Sequence, residues 1–268
     1  MSARAVGALL RASWFQARSY RISLLMQVGG LLITAVPLYF VTTALQPTMA
    51  QTIAGEAKEF FGFVIVGSVG LMLATTSITT LQSAIAGGIS TGYFESLLMT
   101  RAPVASILTG LSAYGMVLTL VRATVLVTAG ALLGANLVWS QAIPALFIAA
   151  LLVMAHWGIG LIGAALVIAF RTAGPLTQIV MILSTFFGGV YYPVSAIPGW
   201  LGAISQVMPI AYGLKALRRV LLQGEGLTAV APEVAILAAM GIITLALGAV
   251  AVSAALRYGK KSGTLGTY

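Results

Sequence analysis

Few side chains in this sequence could do acid–base, nucleophilic or metal chemistry. The acids are five glutamates, histidine occurs once, and cysteine and aspartate are absent. Thiol nucleophiles, disulfides and cysteine-ligated metals are therefore excluded. An intramembrane hydrolase would need a carboxylate pair, a serine with a base, or a metal cluster. The histidine, His156, has no acid nearby in sequence. We therefore expect a chain that is not an enzyme and that binds no metal or cofactor itself.

Two ionisable residues inside apolar runs remain as a candidate substrate path, Arg122 and His156. The simpler interpretation of His156 is a packing residue that hydrogen-bonds to a neighbouring helix. Arg122 lies about 27 Å along its predicted helix, so its side chain could reach the headgroups as an anchor. Contact with an anionic substrate is the alternative for Arg122.

The sequence has no ATP-binding loop. A P-loop needs glycine, four residues and then Gly-Lys-Ser/Thr, so that backbone N–H groups hold the phosphates. The nearest string is "YGKKSG" at 258–263, which lacks the first glycine and the Ser/Thr directly after the first lysine. We conclude that no ATPase is encoded here.

The composition predicts a multi-spanning membrane protein. Hydrophobic residues make up 60% of the 268 positions and charged residues 7%, whereas soluble chains have about 45–50% and about 25%. Apolar runs near the length of a bilayer crossing predict an all-α fold with six spans. The predicted spans are 22–45, 60–82, 104–133, 143–170, 176–192 and 234–256.

Lysine and arginine predict the orientation of these spans. With a cytoplasmic N-terminus, nine of them flank the inner ends of the spans and four flank the outer ends (Lys58, Lys215, Arg218 and Arg219). This asymmetry favours both termini being cytoplasmic, including a basic tail at 257–268. It also accounts for the net charge of +9 without nucleic acid.

Two short amphipathic helices are predicted on the cytoplasmic side. In residues 1–21 a stripe of apolar residues separates from arginines that recur every seven residues, which predicts a helix lying in the membrane interface. Around 91–100 a second helix is predicted, capped by Thr91 or Gly92, with Glu95 in its first turn. Phe94, Leu97 and Leu98 share one of its faces, which either rests on lipid or docks into a groove of a soluble partner.

Two sequence stretches resemble the permeases of bacterial ABC type-2 exporters. "GYFESLLMTRAPVASIL" at 92–108 is similar to the family's G-T-x-E-x-L-L-x-T-P loop. The stretch 187–224 is similar to its second landmark, in which prolines, a Trp-Leu pair, a tyrosine and an arginine recur. The matching residues are Pro193, Pro198, Trp200, Leu201, Pro209, Tyr212 and Arg218 or Arg219.

The resemblance implies partners and roles. A cytosolic ABC ATPase in two copies would use ATP and Mg, and a second permease, identical or related, would complete a dimer in the lipid bilayer. The helix at 91–100 would be the coupling helix, through Gly92, Tyr93, Phe94, Glu95, Leu97, Leu98, Thr100 and Arg101. Efflux of a hydrophobic or amphipathic substrate such as a drug, lipid or glycolipid is the function expected. Polysaccharide export is the alternative.

An ion-coupled secondary transporter is a less favoured alternative. Such coupling usually needs a carboxylate near the middle of the membrane, and all five glutamates fall in loops or at span ends.

Residues 193–213 interrupt the apolar sequence between the fifth and sixth spans. Pro198 and Gly199 predict the start of one short helix and Pro209 the start of another. We expect a re-entrant hairpin in the outer leaflet that acts as an external gate, with Trp200 and Tyr212 at interface depth. Lys215, Arg218 and Arg219 are expected at the outer headgroups.

Overall fold

In a computed structural model, which describes residues 3–18, 21–172 and 174–262, the chain is built of helices, and no strand occurs in those ranges. The described part of the chain forms ten α-helices: α1 Ala3–Arg18, α2 Arg21–Ile53, α3 Phe60–Ser90, α4 Tyr93–Leu98, α5 Val104–Leu132, α6 Ala142–Phe170, α7 Gly174–Phe187, α8 Gly199–Gln206, α9 Pro209–Gln223 and α10 Ala231–Ser262. Short 3₁₀ turns occur at Trp139–Gln141 and Val194–Ala196.

Among the described residues, four segments are long and apolar enough to cross a membrane: Phe60–Ser90, Val104–Leu132, Trp139–Phe170 and Ala231–Gly259. The all-α, multi-pass character is therefore as predicted. Two other predicted spans have a different form. Helix α2 is 33 residues long and contains Pro37 and Pro47, and α7 has only 14 residues. Their membrane crossing, and with it the six-span layout, stays a prediction.

Small residues allow the long helices to pack closely. A β-carbon added at Gly160 of α6 would lie 2.7 Å from the Ser77 carbonyl oxygen of α3. One added at Gly158 would lie 2.5 Å from Thr244 of α10. Thr244 also donates a hydrogen bond of 2.9 Å to the Ala155 carbonyl. Since lipid tails are as apolar as leucine, such van der Waals packing holds membrane helices together.

Helix α1 packs along α5. Leu9 fills the space left by Gly110, where a β-carbon would lie 2.6 Å from its Cδ1. One turn further, Trp14 and Arg11 line a small cavity with Tyr114 and Val117 of α5. The predicted N-terminal helix is thus held by a protein neighbour, and its position in the membrane interface stays a prediction.

Helix α3 connects two distant ends of the bundle. Phe63 lies near its beginning and Gly88 near its end, which are about 37 Å apart along a straight helix. We call these the Arg218 end, where α9 contacts Phe63, and the Phe94 end, where α4 contacts Gly88.

Candidate functional site

At the Phe94 end, a left-handed glycine turns the chain into α4. Gly92 has φ +71°, a conformation that residues with a side chain rarely adopt, and it occupies the N-cap position of α4. Just before it, the Thr91 hydroxyl donates to the Gly87 carbonyl at 2.9 Å at the end of α3. Glu95 lies in the first turn of α4, where the helix dipole favours an acid.

Phe94 points into the bundle, not toward a partner. Its side chain is 1% exposed and belongs to a buried apolar cluster that also contains residues of α3, α5, α6 and α10. A β-carbon at Gly88 would lie 3.1 Å from the Phe94 β-carbon, so the glycine lets α4 lie close to α3. Phe94 is therefore not part of the exposed surface of α4, and its role in ATPase coupling stays a prediction.

The outward surface of α4 is formed by other residues. Met99 is 89% exposed and Tyr93 46%, and Thr100 and Arg101 are also exposed. Leu97 and Leu98 are half-buried, and Leu98 packs against the same core as Phe94. The residues predicted to couple to an ATPase therefore fall into two groups. Phe94 and Leu98 pack against the bundle, and Tyr93, Thr100 and Arg101 are exposed.

At the opposite end, two short helices follow the proline-rich segment. Pro198 precedes α8 at its N-cap, and Pro209 is the first residue of α9. The Tyr212 hydroxyl donates to the Gln206 carbonyl at 3.1 Å and joins the two helices. Trp200 is 80% exposed, whereas Pro193 is buried. Helix α9 continues to Gln223, ten residues beyond the predicted hairpin boundary.

Arg218 is buried, in contrast to its predicted position at the outer headgroups. It is 1% exposed. On α9 it shares a face with Ile210, Leu214 and Leu217, which are also buried. Leu214, Leu217 and Arg218 follow Ile210 at four, seven and eight residues, which is the spacing of a single helix face. The apolar stripe of α9 therefore carries Arg218 into the protein.

The Arg218 guanidinium joins three separate parts of the chain. Nε donates to the Phe63 carbonyl of α3 at 3.2 Å, and Nη1 donates to the Glu56 carboxylate at 3.1 Å. After α7, the carbonyls of Gly189 and Val190 accept from Nη1 and Nη2, each at 2.8 Å. The planar, five-donor fork of arginine suits such convergent acceptors. We call these residues, with Gly67, the Arg218 cluster.

Two further features complete the Arg218 cluster. The guanidinium carbon lies 3.3 Å from the centroid of the Phe63 ring, a cation–π contact. Gly67 leaves room for it, because a β-carbon there would lie 2.7 Å from Nη2. Burial lowers the pKa of Arg218 to about 10, against the opposing effect of the Glu56 carboxylate. The side chain is therefore still cationic at neutral pH.

The other bases near this end are paired with acids. Glu233 accepts from Lys215 at 3.0 Å and from Arg219 at 3.2 Å, and Arg219 also contacts Glu225 at 2.6 Å. With Lys58 and Glu59, which line a neighbouring cavity, this end carries four bases and four acids. The four bases that the predicted orientation places on the outer side therefore have an equal number of acids near them.

Arg122 and His156 lie on different helices, and no hydrogen bond or ion pair joins them within the described ranges. His156 is fully buried. Its Nδ1 lies 2.8 Å from the Leu152 carbonyl of its own helix, so the predicted hydrogen bond to a neighbouring helix is wrong. Because a carbonyl only accepts, Nδ1 carries the proton. Arg122 is half-buried, and its Nε has no hydrogen-bond partner in the part of the chain that the structure describes.

Glu56, Gly67 and Glu233 were not predicted as parts of the site. For Glu56 and Glu233 the sequence holds a signal, since acids are so rare here that each one next to a predicted span suggests an ion pair. Gly67 has no such signal.

The chain was compared with known proteins. Residues 4–222 match the family model of the ABC-2 type transporter. No curated protein matches the chain. The family match covers most of the sequence and includes both α4 and all residues of the Arg218 cluster, whereas Glu225 and Glu233 lie beyond it. This multi-pass membrane chain therefore belongs to the ABC-2 type transporter family, as the permease of an ABC transporter.

Proposed function

We propose that this permease belongs to an exporter that moves a hydrophobic or amphipathic substrate, such as a drug, lipid or glycolipid, out of the cell. Two copies of a separate cytosolic ATPase supply the energy with ATP and Mg, and a second permease completes the dimer. The chain lies in the plasma (inner) membrane with six spans, α2 and α7 among them, and with both termini cytoplasmic.

The anchoring of α4 is the observation that carries this proposal. Phe94 belongs to a buried apolar cluster with residues of α3, α5, α6 and α10, while Met99 and Tyr93 are exposed beside it. A force applied to the exposed side would therefore reach α3, which α4 contacts closely at Gly88, and through the rest of the cluster the other three helices. This is the arrangement that a coupling helix needs, since coupling requires contiguous packing between the docking surface and the transport path.

The substrate class is supported by a cavity beside the hairpin. A space of about 470 Å³ is lined largely by aromatic and aliphatic side chains of α7, of α8 and of the segment that joins them, among them Phe187, Tyr192, Ile197 and Leu201. Apolar pockets of this size bind drug-sized or lipid-like molecules. The hairpin that forms its wall would act as the external gate, held closed by the Arg218 cluster.

The docking role is tested with the exposed residues of α4. In the permease co-purified with its ATPase, Tyr93→Ala combined with Met99→Asp should reduce complex formation and remove the permease-dependent stimulation of ATP hydrolysis. Ala229→Asp adds the same charge in an exposed loop at the Arg218 end and is the matched control. Unchanged complex formation and unchanged stimulation by the double variant would refute the docking role.

The anchor is tested separately. Phe94→Ala removes the buried ring and leaves the exposed side of α4 unchanged. We expect the ATPase to bind as it does to the natural chain, with transport lost and ATP hydrolysis no longer stimulated. Phe94→Leu retains much of the packing and should retain part of the transport. Full transport by Phe94→Ala would contradict the role of this ring in transmitting force.

A further inference from the structure

A cavity of about 390 Å³ lies between α1 and α5. Its lining residues come from these two helices: Leu10, Arg11, Trp14, Phe15, Tyr114 and Val117. Beside it the helices are in direct contact, since Leu9 fills the space next to Gly110. Trp14 is 56% exposed and Val117 42%. The cavity therefore lies in a packed interface and opens to the outside of the bundle.

The cavity lies at the depth where the predicted second span ends. Gly115, the neighbour of Tyr114, packs against α3, because a β-carbon at Gly115 would lie 2.5 Å from Thr80 Cγ2. The predicted span ends two residues after Thr80, at Gln82, and an exposed serine follows at Ser83. Trp and Tyr side chains are enriched at such a boundary between hydrocarbon and head groups. A ligand in this cavity would therefore meet an apolar and a polar environment together.

Arg11 is the charged residue of this wall. It is exposed, and its guanidinium has no ion pair or hydrogen bond among the described residues. The sequence offers no acid close by, since residues 1–21 contain four arginines and neither aspartate nor glutamate. The planar fork of arginine binds a phosphate through two parallel hydrogen bonds. The donors of Arg11 are therefore available to an anionic ligand that carries a phosphate.

The remainder of the wall is apolar and aromatic. A free anion at Arg11 would leave the surface of Trp14 and Val117 uncovered, whereas an acyl chain would cover it and gain the free energy of apolar burial. The volume is near the lower end of the range for small-molecule pockets, about 300–1,000 Å³, so the cavity holds a part of a lipid. Exposed Leu120 and Val121 continue the apolar surface along α5. Because α5 is long and apolar enough to cross a membrane, the rest of the lipid would lie against that surface.

We propose that this cavity binds an anionic phospholipid of the surrounding membrane, with its phosphate at Arg11 and one acyl chain between Trp14 and Val117. A zwitterionic lipid fits less well, because it brings its own cation and the lining residues include no acid to receive it. The bound lipid would fill the space between α1 and α5 and hold α1 against the bundle. The proposal requires a membrane protein and depends neither on the direction of transport nor on an ATPase.

The test uses the full chain purified in a neutral detergent. Dioleoyl phosphatidylglycerol and dioleoyl phosphatidylcholine are titrated in separately, and native mass spectrometry measures the fraction of chains that retain each lipid. The natural chain should bind phosphatidylglycerol about tenfold or more tightly than phosphatidylcholine, the value of a hydrogen bond to a charged group. Arg11→Gln should remove most of this preference. Arg257→Gln removes the same charge from an exposed position of α10 and is the matched control, which should bind like the natural chain.

A second pair of variants tests the cavity with Arg11 in place. Val117→Trp fills the space from the side of α5 and should weaken the retention of phosphatidylglycerol severalfold. Val121→Trp places the same ring on an exposed part of α5 outside the cavity and should leave retention unchanged. Equal binding of the two lipids by the natural chain would overturn the proposal, and so would equal losses for Arg11→Gln and Arg257→Gln.

Two further outcomes would identify a different occupant. If glycerol phosphate, which has no acyl chain, displaced phosphatidylglycerol at an equal concentration, the cavity would be a site for free anions. If Val117→Trp reduced the fraction of dimers in the same spectra and left lipid retention unchanged, a second protein chain would cover the cavity. Either result would contradict a lipid site between α1 and α5.

Discussion

Gly67 of α3 faces Arg218 of α9 so closely that a β-carbon on the glycine would lie 2.7 Å from the guanidinium Nη2. The same β-carbon would lie even closer to the Val190 carbonyl oxygen, which accepts a hydrogen bond from Nη2. The missing side chain at position 67 is therefore what allows a buried cation to pass between α3 and the segment after α7.

Gly67→Ala should displace the guanidinium or the Val190 carbonyl. Overpacking of this kind costs about 1–3 kcal/mol, so we expect a lower melting temperature in detergent. Gly87→Ala is the matched control on the same helix, since its β-carbon would meet nothing within 4 Å. Equal melting temperatures for the two variants would show that the close approach is not stabilising.

Arg218→Met should lower the free energy of unfolding strongly, by about 3–5 kcal/mol, because it leaves the Glu56 carboxylate and three carbonyls without their donor. Arg218→Lys should recover little, since a single ammonium group cannot replace the fork. Lys215→Met removes a half-exposed base and should change stability by less than about 1 kcal/mol. Denaturant titration of the three variants measures this order, and a lysine as good as arginine would contradict it.

His156→Leu should leave stability within about 1 kcal/mol and leave transport intact. The only hydrogen bond of the imidazole in the described structure goes to its own helix, and Nε2 is an unpaired acceptor, so an apolar side chain of similar volume loses little. Transport assays with the natural chain as reference check this. Loss of transport at normal stability would assign His156 to the substrate path.

Ala203→Cys reports the side of the membrane on which the hairpin lies. The natural chain has no cysteine, and Ala203 is exposed on α8. An impermeant maleimide added to intact cells should label it. Met99→Cys, exposed at the opposite end, should react only after the membrane is opened. The reverse pattern would invert the proposed topology and remove the external gate.

The positions of the helices follow from local sequence, whereas the contacts of the site do not. Apolar runs and the prolines at 198 and 209 place the helix boundaries, because each of these signals acts within a few residues. The direction of Arg218 could not be predicted in the same way. Its partners lie 28 and 155 residues away at Val190 and Phe63, and only the folded bundle brings those carbonyls together.

Phe94 illustrates a different limit. Three apolar residues share one face of α4, and in so short a helix the periodicity does not show whether that face points to the bundle or to a partner. Gly88 determines that this face points to the bundle, since the missing side chain leaves the space that Phe94 occupies. That relationship depends on the packing of α4 against α3 and has no local sequence signal.

Helix α3 holds Phe94 at one end and Arg218 at the other, and this continuity has a thermodynamic consequence. If the ATPase docks at α4 as proposed and prefers one tilt of α3, and if a ligand at the hairpin prefers the same tilt, each must raise the affinity for the other by the same factor. A glycolipid that strengthens ATPase binding tenfold would itself be held tenfold more tightly when the ATPase is docked. Loading at one surface of the membrane would thus be sensed at the other before any ATP is consumed.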